Sequence, residues 1–280
     1  MINLLLLSLF SFTDMDVFEG KPIYKNPLAY IRSPETGVSL KSSKWRGANL
    51  QYLDSVIGRT IPIINFHEQY PDIQFGLEAS TWAVLGYYKG RFPLITQDFL
   101  IAAPLMFRIG SLSGALKFVH LSSHRSDGFD LLWDKTLSLE EKQKIETVER
   151  QENISISPPI KNYSRDFWSL DIAKETNIGR WKIKSSTQLA YIHKVIPHGL
   201  GRWFGGSNIE LRYFGFYIAQ NFMYHGDVKR FDISGQIGMI DESHSYEPRV
   251  CVSVYKGSDR RGQFLGRKIP LEVGLGIFIR

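Results

Sequence analysis

Lys268-Ile-Pro-Leu-Glu-Val-Gly-Leu-Gly-Ile-Phe-Ile-Arg280 is the stretch on which the fold turns. Read as an extended strand, it sets Ile269, Leu271, Val273, Leu275, Ile277 and Ile279 on one face. Pro270, Glu272, Gly274, Gly276 and Phe278 fall on the other. Bulky hydrophobes opposed by glycine and a carboxylate suit a strand with hydrocarbon outside and a crowded polar lumen inside. The same period of two recurs upstream. Phe99, Ile101, Ala103, Leu105 and Phe107 oppose Asp98, Ala102, Pro104 and Arg108, and Ile209, Leu211 and Tyr213 oppose Asn208, Glu210 and Arg212. Ile233, Ile237 and Met239 oppose Asp232, Ser234, Gln236 and Gly238, while Val250, Val252 and Val254 oppose Arg249, Cys251 and Ser253. Pro104 runs against the pattern, because proline cannot donate to the ladder, and a bulge there would accommodate it.

Extending this reading predicts twelve strands, at about 37–43, 58–67, 72–86, 96–110, 113–124, 163–175, 179–194, 206–214, 216–226, 230–241, 247–257 and 268–280. Their connections alternate. Gly110–Ser113, Thr176–Gly179, Phe214–Phe216 and Asp241–Glu247 are short, whereas Tyr87–Ile95, Arg125–Asn162, Val195–Gly205 and Gly257–Arg267 are longer. The short link Gly226–Lys229 breaks the alternation. An even number of strands, with short turns at one end and long loops at the other, is the arrangement of a bacterial outer-membrane barrel with periplasmic termini. The expected class is therefore all-β: a transmembrane antiparallel β-barrel of about 12 strands with a long surface loop between the fifth and sixth. Within that loop, 137–151 opens with a Ser138-x-x-Glu141 capping box and predicts a short surface helix.

Composition agrees. The 280 residues are 43% hydrophobic, and no run away from the N-terminus is long enough for a spanning helix. Met1–Phe12 is apolar but lacks a basic leader, so residues 1–16 read as an atypical secretory signal and 17–280 as one barrel domain. Aromatics make up 13% of the chain, and Trp168, Trp181, Trp203, Phe204, Phe214 and Phe216 fall near predicted strand ends, as girdles would. The net charge of +6 is dispersed, with no compact basic stripe, so no nucleic-acid partner is expected. Cys251 is the only cysteine, which excludes an intramolecular disulfide.

Five stretches resemble the uncharacterised bacterial outer-membrane family catalogued as domain of unknown function 1207. They are Ile23–Pro34, Phe118–Asp127, Asn162–Asp166, Gln236–Gly238 and Tyr255–Phe264, with the Ser122-Ser-His124 core and the Gly262-Gln-Phe264 ending the most specific. Ser126-Asp127-Gly128 departs from the Gly-Asp-Glu that the family carries after its Ser-Ser-His. The resemblance implies a Gram-negative outer-membrane protein and brings no activity with it.

One cluster carries candidate chemistry. Alternation puts His120, Ser122 and His124 on one face, with Ser123 between them and Asp127 just beyond. A histidine and a serine on one face can form a base–nucleophile pair oriented by a carboxylate, here Asp127. The arrangement is similar to the His-x-Ser of outer-membrane lipid A deacylases. The competing reading is a hydrogen-bonded polar cluster that closes the lumen beneath the long loop, and this structural reading is the preferred one. His120 and His124 lie about 13 Å apart along a strand, so no shared metal is expected, and no cofactor either. Glu78, Asp98, Arg108, Asp171, Lys184, Glu210, Arg212, Asp232, Arg249 and Glu272 are assigned to the lumen, where opposite charges can pair. The preferred function is a narrow, porin-like pore or structural barrel. The alternative is a lipid-modifying hydrolase acting on lipopolysaccharide or phospholipid at the outer rim. The sequence leaves the oligomeric state open.

Overall fold

The computed structural model describes residues 15–18, 20–45, 48–66, 71–87, 91–126, 162–196, 202–226, 229–244, 246–258 and 268–280. Their strands are β1 (Met15–Val17), β2 (Thr36–Trp45), β3 (Ala48–Phe66), β4 (Asp72–Gly86), β5 (Leu94–Ile109), β6 (Leu112–Arg125), β7 (Asn162–Ile178), β8 (Trp181–Ile196), β9 (Trp203–Tyr213), β10 (Phe216–His225), β11 (Arg230–Ile240), β12 (Arg249–Ser258) and β13 (Lys268–Ile279). Each of β2 to β13 pairs antiparallel with its neighbour in sequence, and β13 pairs with β2, so twelve strands close a barrel without an open edge. Closure lets the strands satisfy their backbone donors and acceptors within the wall, apart from local gaps and bulges, as hydrocarbon requires. The short β1 pairs beside Ile64–Phe66 of β3, below the start of β2. No helix occurs among the described residues. The predicted helix at 137–151 lies outside them, as does most of the signal segment.

The turns follow from local chemistry. Between β9 and β10, Phe214 and Gly215 both take positive φ, the geometry of a type I′ hairpin whose twist matches the strands. Two long strands depart from the predicted scheme. β3 begins ten residues earlier than the pattern indicated, because Asp54 and Tyr52 are lumen-facing and interrupt any simple apolar count. Pro104 sits in β5 without a bulge. The ladder to β4 keeps its register across the gap from Phe75–Leu105 to Glu78–Ala102, and only the pairs opposite Pro104 and Ala103 are missing. Gly76 faces it there, and a Cβ on Gly76 would come 2.8 Å from the Ile61 carbonyl oxygen.

Face assignment holds around the wall. In β13, Leu271, Val273, Leu275, Ile277 and Ile279 are exposed, while Glu272, Gly274 and Gly276 are buried. Ile269 is the exception and points inward. The ladder slips between Tyr255–Glu272 and Gly257–Ile269, so β13 carries an extra residue there and the faces exchange. Phe204 likewise turns inward and does not belong to a girdle. Girdle contacts do form at both ends of the outer band: Phe118–Trp168 and Tyr191–Trp203 at the long-loop end, Trp181–Tyr213 at the short-turn end. On β5 the outward series Phe99–Ile109 spans ten residue steps, about 25 Å along the normal at a typical tilt.

The lumen is occupied. The segment Gly20–Glu35 enters from the short-turn end, reverses through two turns (Tyr30 N–H to Pro27 O, Ser33 N–H to Tyr30 O), and returns to start β2. Leu28 and Ala29 are fully buried inside the barrel. The wall charges hold this segment. Arg108 donates to Ile23 O (2.5 Å), Lys117 to Asn26 (2.8 Å), Lys184 to Lys25 O (2.7 Å), and Arg249 to Leu28 O (3.3 Å). Glu210 accepts the Leu28 N–H (2.6 Å), and Asp98 pairs with Arg32 (2.6 Å). The wall also pairs with itself, through Lys117 with Glu78 and Asp171, Arg212 with Glu210, Tyr255 with Asp232, and Lys41 with Glu272. Of the ten charges assigned to the lumen, only Arg108 is exposed, at the rim. Two cavities beside the segment hold about 60 and 50 Å³, room for little more than water, and a larger one of about 350 Å³ lies between its first residues and β3, lined by Tyr24, Lys25, Arg59, Thr60, Pro62 and Arg280.

Glu247, in the turn after β11, ties this segment to the barrel end by accepting from Lys25 (2.6 Å) and Arg280 (3.1 Å). Burial pushes its carboxyl up, but the charges of Arg280 and Lys25 outweigh that and hold it at about 2. Lys25 lies below the ordinary lysine value, since burial outweighs the same carboxylate, so Arg280 is the principal counter-charge. A carboxylate held below its ordinary value contributes stability above that value and loses it as pH falls through the folded one. Between pH 5 and pH 2 the wild-type barrel in detergent should therefore lose on the order of 2 kcal/mol. Glu247→Gln should be weaker at pH 7 and should lose less across that window than the wild type; a variant that falls as steeply as the wild type would refute the assignment.

Candidate active site

Strand β6 leaves the short-turn end at Leu112 and reaches the long-loop end at Arg125. Its outward residues are Leu116 and Phe118, then His120, Ser122 and His124, while Leu121 and Ser123 face the lumen. The predicted shared face is thus the outer one, and the cluster does not close the lumen. Across the ladder on β7, Phe118 meets Trp168, His120 meets Asp166, and Ser122 meets Ser164. On β5, His120 meets Ile101 and Ser122 meets Phe99. The polar residues therefore begin one step above an aromatic pair and level with the upper end of the apolar series on β5.

His120 Nδ1 lies 2.6 Å from Asp166 Oδ1, with the side chains 47% and 22% exposed. An ionised carboxylate only accepts, so Nδ1 donates and Nε2 is left as the acceptor. Ser122 is half-buried beside this pair and makes no hydrogen bond among the described residues. Residues at i and i+2 are about 6.6 Å apart along a strand, so the Ser122 hydroxyl must rotate toward Nε2, a tightening that substrate typically completes. His124 packs edge-on against Phe99 at 5.7 Å. Ser123 is buried with an unpartnered hydroxyl in the wall and takes no part. Asp127, the predicted orienting acid, lies outside the described residues. The carboxylate that the fold brings to His120 is Asp166, which sequence spacing missed because the 125–162 insert separates them. The signal available was the Asn162–Asp166 stretch, which aligns with His124–His120 once β6 and β7 are paired.

A bulge in β8 completes the neighbourhood. Asp166 pairs with Lys194 and Phe167 with Ile192, leaving His193 as the extra residue. His193 and Lys194 are consequently both exposed on the outer face, and Val195 packs inward. Arg202, entering β9, donates to the Tyr191 hydroxyl (3.2 Å). No group of three or more histidine, cysteine, aspartate or glutamate side chains is gathered for a metal among the described residues.

No protein-family model matches the chain, and no curated protein matches it. Solved structures do. The Salmonella typhi outer membrane phospholipase, solved as a dimer with bound calcium, superposes with a TM-score of 0.59 at 11% identity, covering 94% of each chain. Outer membrane phospholipase A from Escherichia coli gives the same TM-score, identity and coverage. The KdgM porin superposes at 0.45 with 8% identity, over 87% of this chain and 98% of that one. At such identities the likeness is one of fold: this chain has the architecture of outer-membrane β-barrels.

Proposed function

We propose that this protein is a bacterial outer-membrane acyl hydrolase that cleaves ester-linked fatty acids from membrane lipids. The observation that carries the reading is the outward Ser122–His120–Asp166 constellation at the upper edge of the apolar band. Ser122 would attack the ester carbonyl while His120 Nε2 takes its proton, and Asp166 would stabilise the imidazolium through Nδ1–H. His120 would return the proton to the departing lysolipid oxygen. Water, activated by the same histidine, would then free the fatty acid from Ser122. The phospholipases that share the fold lend support by analogy alone. Membership of the family suggested by the five sequence stretches is a companion proposal, as are the signal segment and residence in a Gram-negative outer membrane.

The test is direct. Purified barrel in mixed micelles should release fatty acid from phospholipid or lipid A and be labelled at Ser122 by an alkyl fluorophosphonate. Neither release nor labelling would end the reading. A structural or narrow-pore barrel is the second reading, favoured by the absence of a direct Ser122–His120 hydrogen bond. Between its two forms, the occupied lumen favours a scaffold. Planar-bilayer recordings should accordingly show no discrete conductance steps for the intact protein.

A further inference from the structure

We infer that the β8 bulge builds a binding site for the headgroup phosphate of a glycerophospholipid, formed by Lys194, His193 and Arg202 beside the acyl site. The inference rests on the acyl-hydrolase reading for the position of the ester and goes beyond it in naming the substrate class. Alternation carried unbroken along β8 would aim Lys194 into the lumen, against the buried apolar layer of Phe167 and Phe204. Insertion of His193 reverses the face, so that Lys194 emerges on the outer wall in register with Asp166. Bulges of this kind re-aim side chains and recur next to active sites.

Three observations point to an anion. Lys194, His193 and Arg202 form no ion pair among the described residues, and the nearby carboxylate, Asp166, is engaged by His120. Arg202 reaches back to Tyr191 on the outer wall, where Tyr191 and Trp203 pack at 4.7 Å, an aromatic footing at headgroup level. The lateral offset also fits. Lys194 stands two strand spacings from His120, about 10 Å between Cα atoms, and a lysine side chain spans most of that. A glycerol backbone separates an acyl carbonyl from its phosphate by a comparable short reach. With the carbonyl at Ser122, a phosphate over β7 would lie within reach of the Lys194 ammonium, whose Cα stands level with His120. A neutral diacylglycerol carries the same ester and nothing for these cations to hold.

The experiment uses the full-length Ser122→Ala barrel in non-ionic detergent, offered phosphatidylglycerol and diacylglycerol of identical chains, with bound lipid counted by native mass spectrometry. Phosphatidylglycerol should be preferred by about tenfold or more, the scale of one charge-assisted hydrogen bond. Adding Lys194→Ala should bring the preference toward unity, and Lys194→Arg should retain it. Millimolar inorganic phosphate should leave it intact, because a soluble anion lacks the chains that seat the lipid; displacement would assign the site to free phosphate and overturn the proposal. In the active protein, Lys194→Ala should raise KM for phosphatidylglycerol about tenfold with kcat little changed, and leave diacylglycerol kinetics alone. If no lipid is hydrolysed yet the preference persists and depends on Lys194, the hydrolase reading fails and this one stands. Equal binding of both lipids overturns it whatever the turnover.

Discussion

Ser122→Ala is expected to lower fatty acid release from phospholipid by at least about 10³-fold while leaving the barrel folded, because a nucleophile's loss removes the covalent path altogether. Ser122 is on the outer wall, half-buried, and its hydroxyl makes no hydrogen bond among the described residues, so stability should hardly change. The companion variants separate orientation from charge. Asp166→Ala removes the acceptor 2.6 Å from His120 Nδ1, and a fall of about 10²- to 10⁴-fold is expected as the imidazole loses its fixed tautomer. Asp166→Asn keeps a carbonyl oxygen able to accept from Nδ1–H, so it should retain more activity than the alanine variant. Heat-modifiable gel mobility would verify folding in each case. An Asp166→Ala protein as active as wild type would show that the carboxylate is ornamental and that some other group orients His120.

Much of this fold is legible in the chain because a barrel wall writes itself as a period of two. Outward positions are mostly apolar and inward ones need not be, so β5, β9, β11, β12 and β13 carry the signal over most of their length, with Ser207 and Lys256 as outward polar exceptions. The failures occur where a local irregularity shifts the phase. Ile269 was assigned outward and lies inward because β13 holds an extra residue opposite Gly257. Pro104 needed no bulge, since the two pairs opposite it are simply absent from the ladder. Neither outcome follows from one strand's sequence; both depend on what the neighbouring strand presents.

The occupied lumen was not legible at all. Ile23–Pro34 has no period, and its role emerges only from polar partners on β4, β5, β6, β8, β9, β11 and β12 that converge on it. The candidate site was half legible. His120, Ser122 and His124 share a face by simple alternation, whereas Asp166 joins them through the register of a hairpin whose connection runs from Arg125 to Asn162. Register across such an insert is fixed by side-chain pairing on both faces of β6 and β7, information that no local window contains. The same holds for Lys194, whose exposure depends on one bulged residue.

Lys117→Ala should be the most damaging single change to the barrel, costing about 3–5 kcal/mol, because it strands two buried carboxylates. Lys117 is 3% exposed inside the lumen, 3.1 Å from Glu78 and 3.2 Å from Asp171. It also donates to Asn26 at 2.8 Å and lies over the Tyr24 ring, so it fastens the inner segment as well as the wall. Two consequences can be read separately. The detergent melting transition should fall sharply, and discrete conductance steps should appear in planar bilayers where the intact protein gives none, as the segment loosens. Replacing Glu78 and Asp171 by apolar residues in the Lys117→Met background should recover much of the lost stability, since the cost lies in uncompensated charge and not in the missing cation. That triple variant distinguishes the two effects. If it regains its melting transition but still conducts, the Lys117–Asn26 bond is what seats the segment; if it regains both, the charges alone keep the lumen closed. A Lys117→Ala barrel as stable and as silent as wild type would remove the buried charge network from the account of how this barrel is filled.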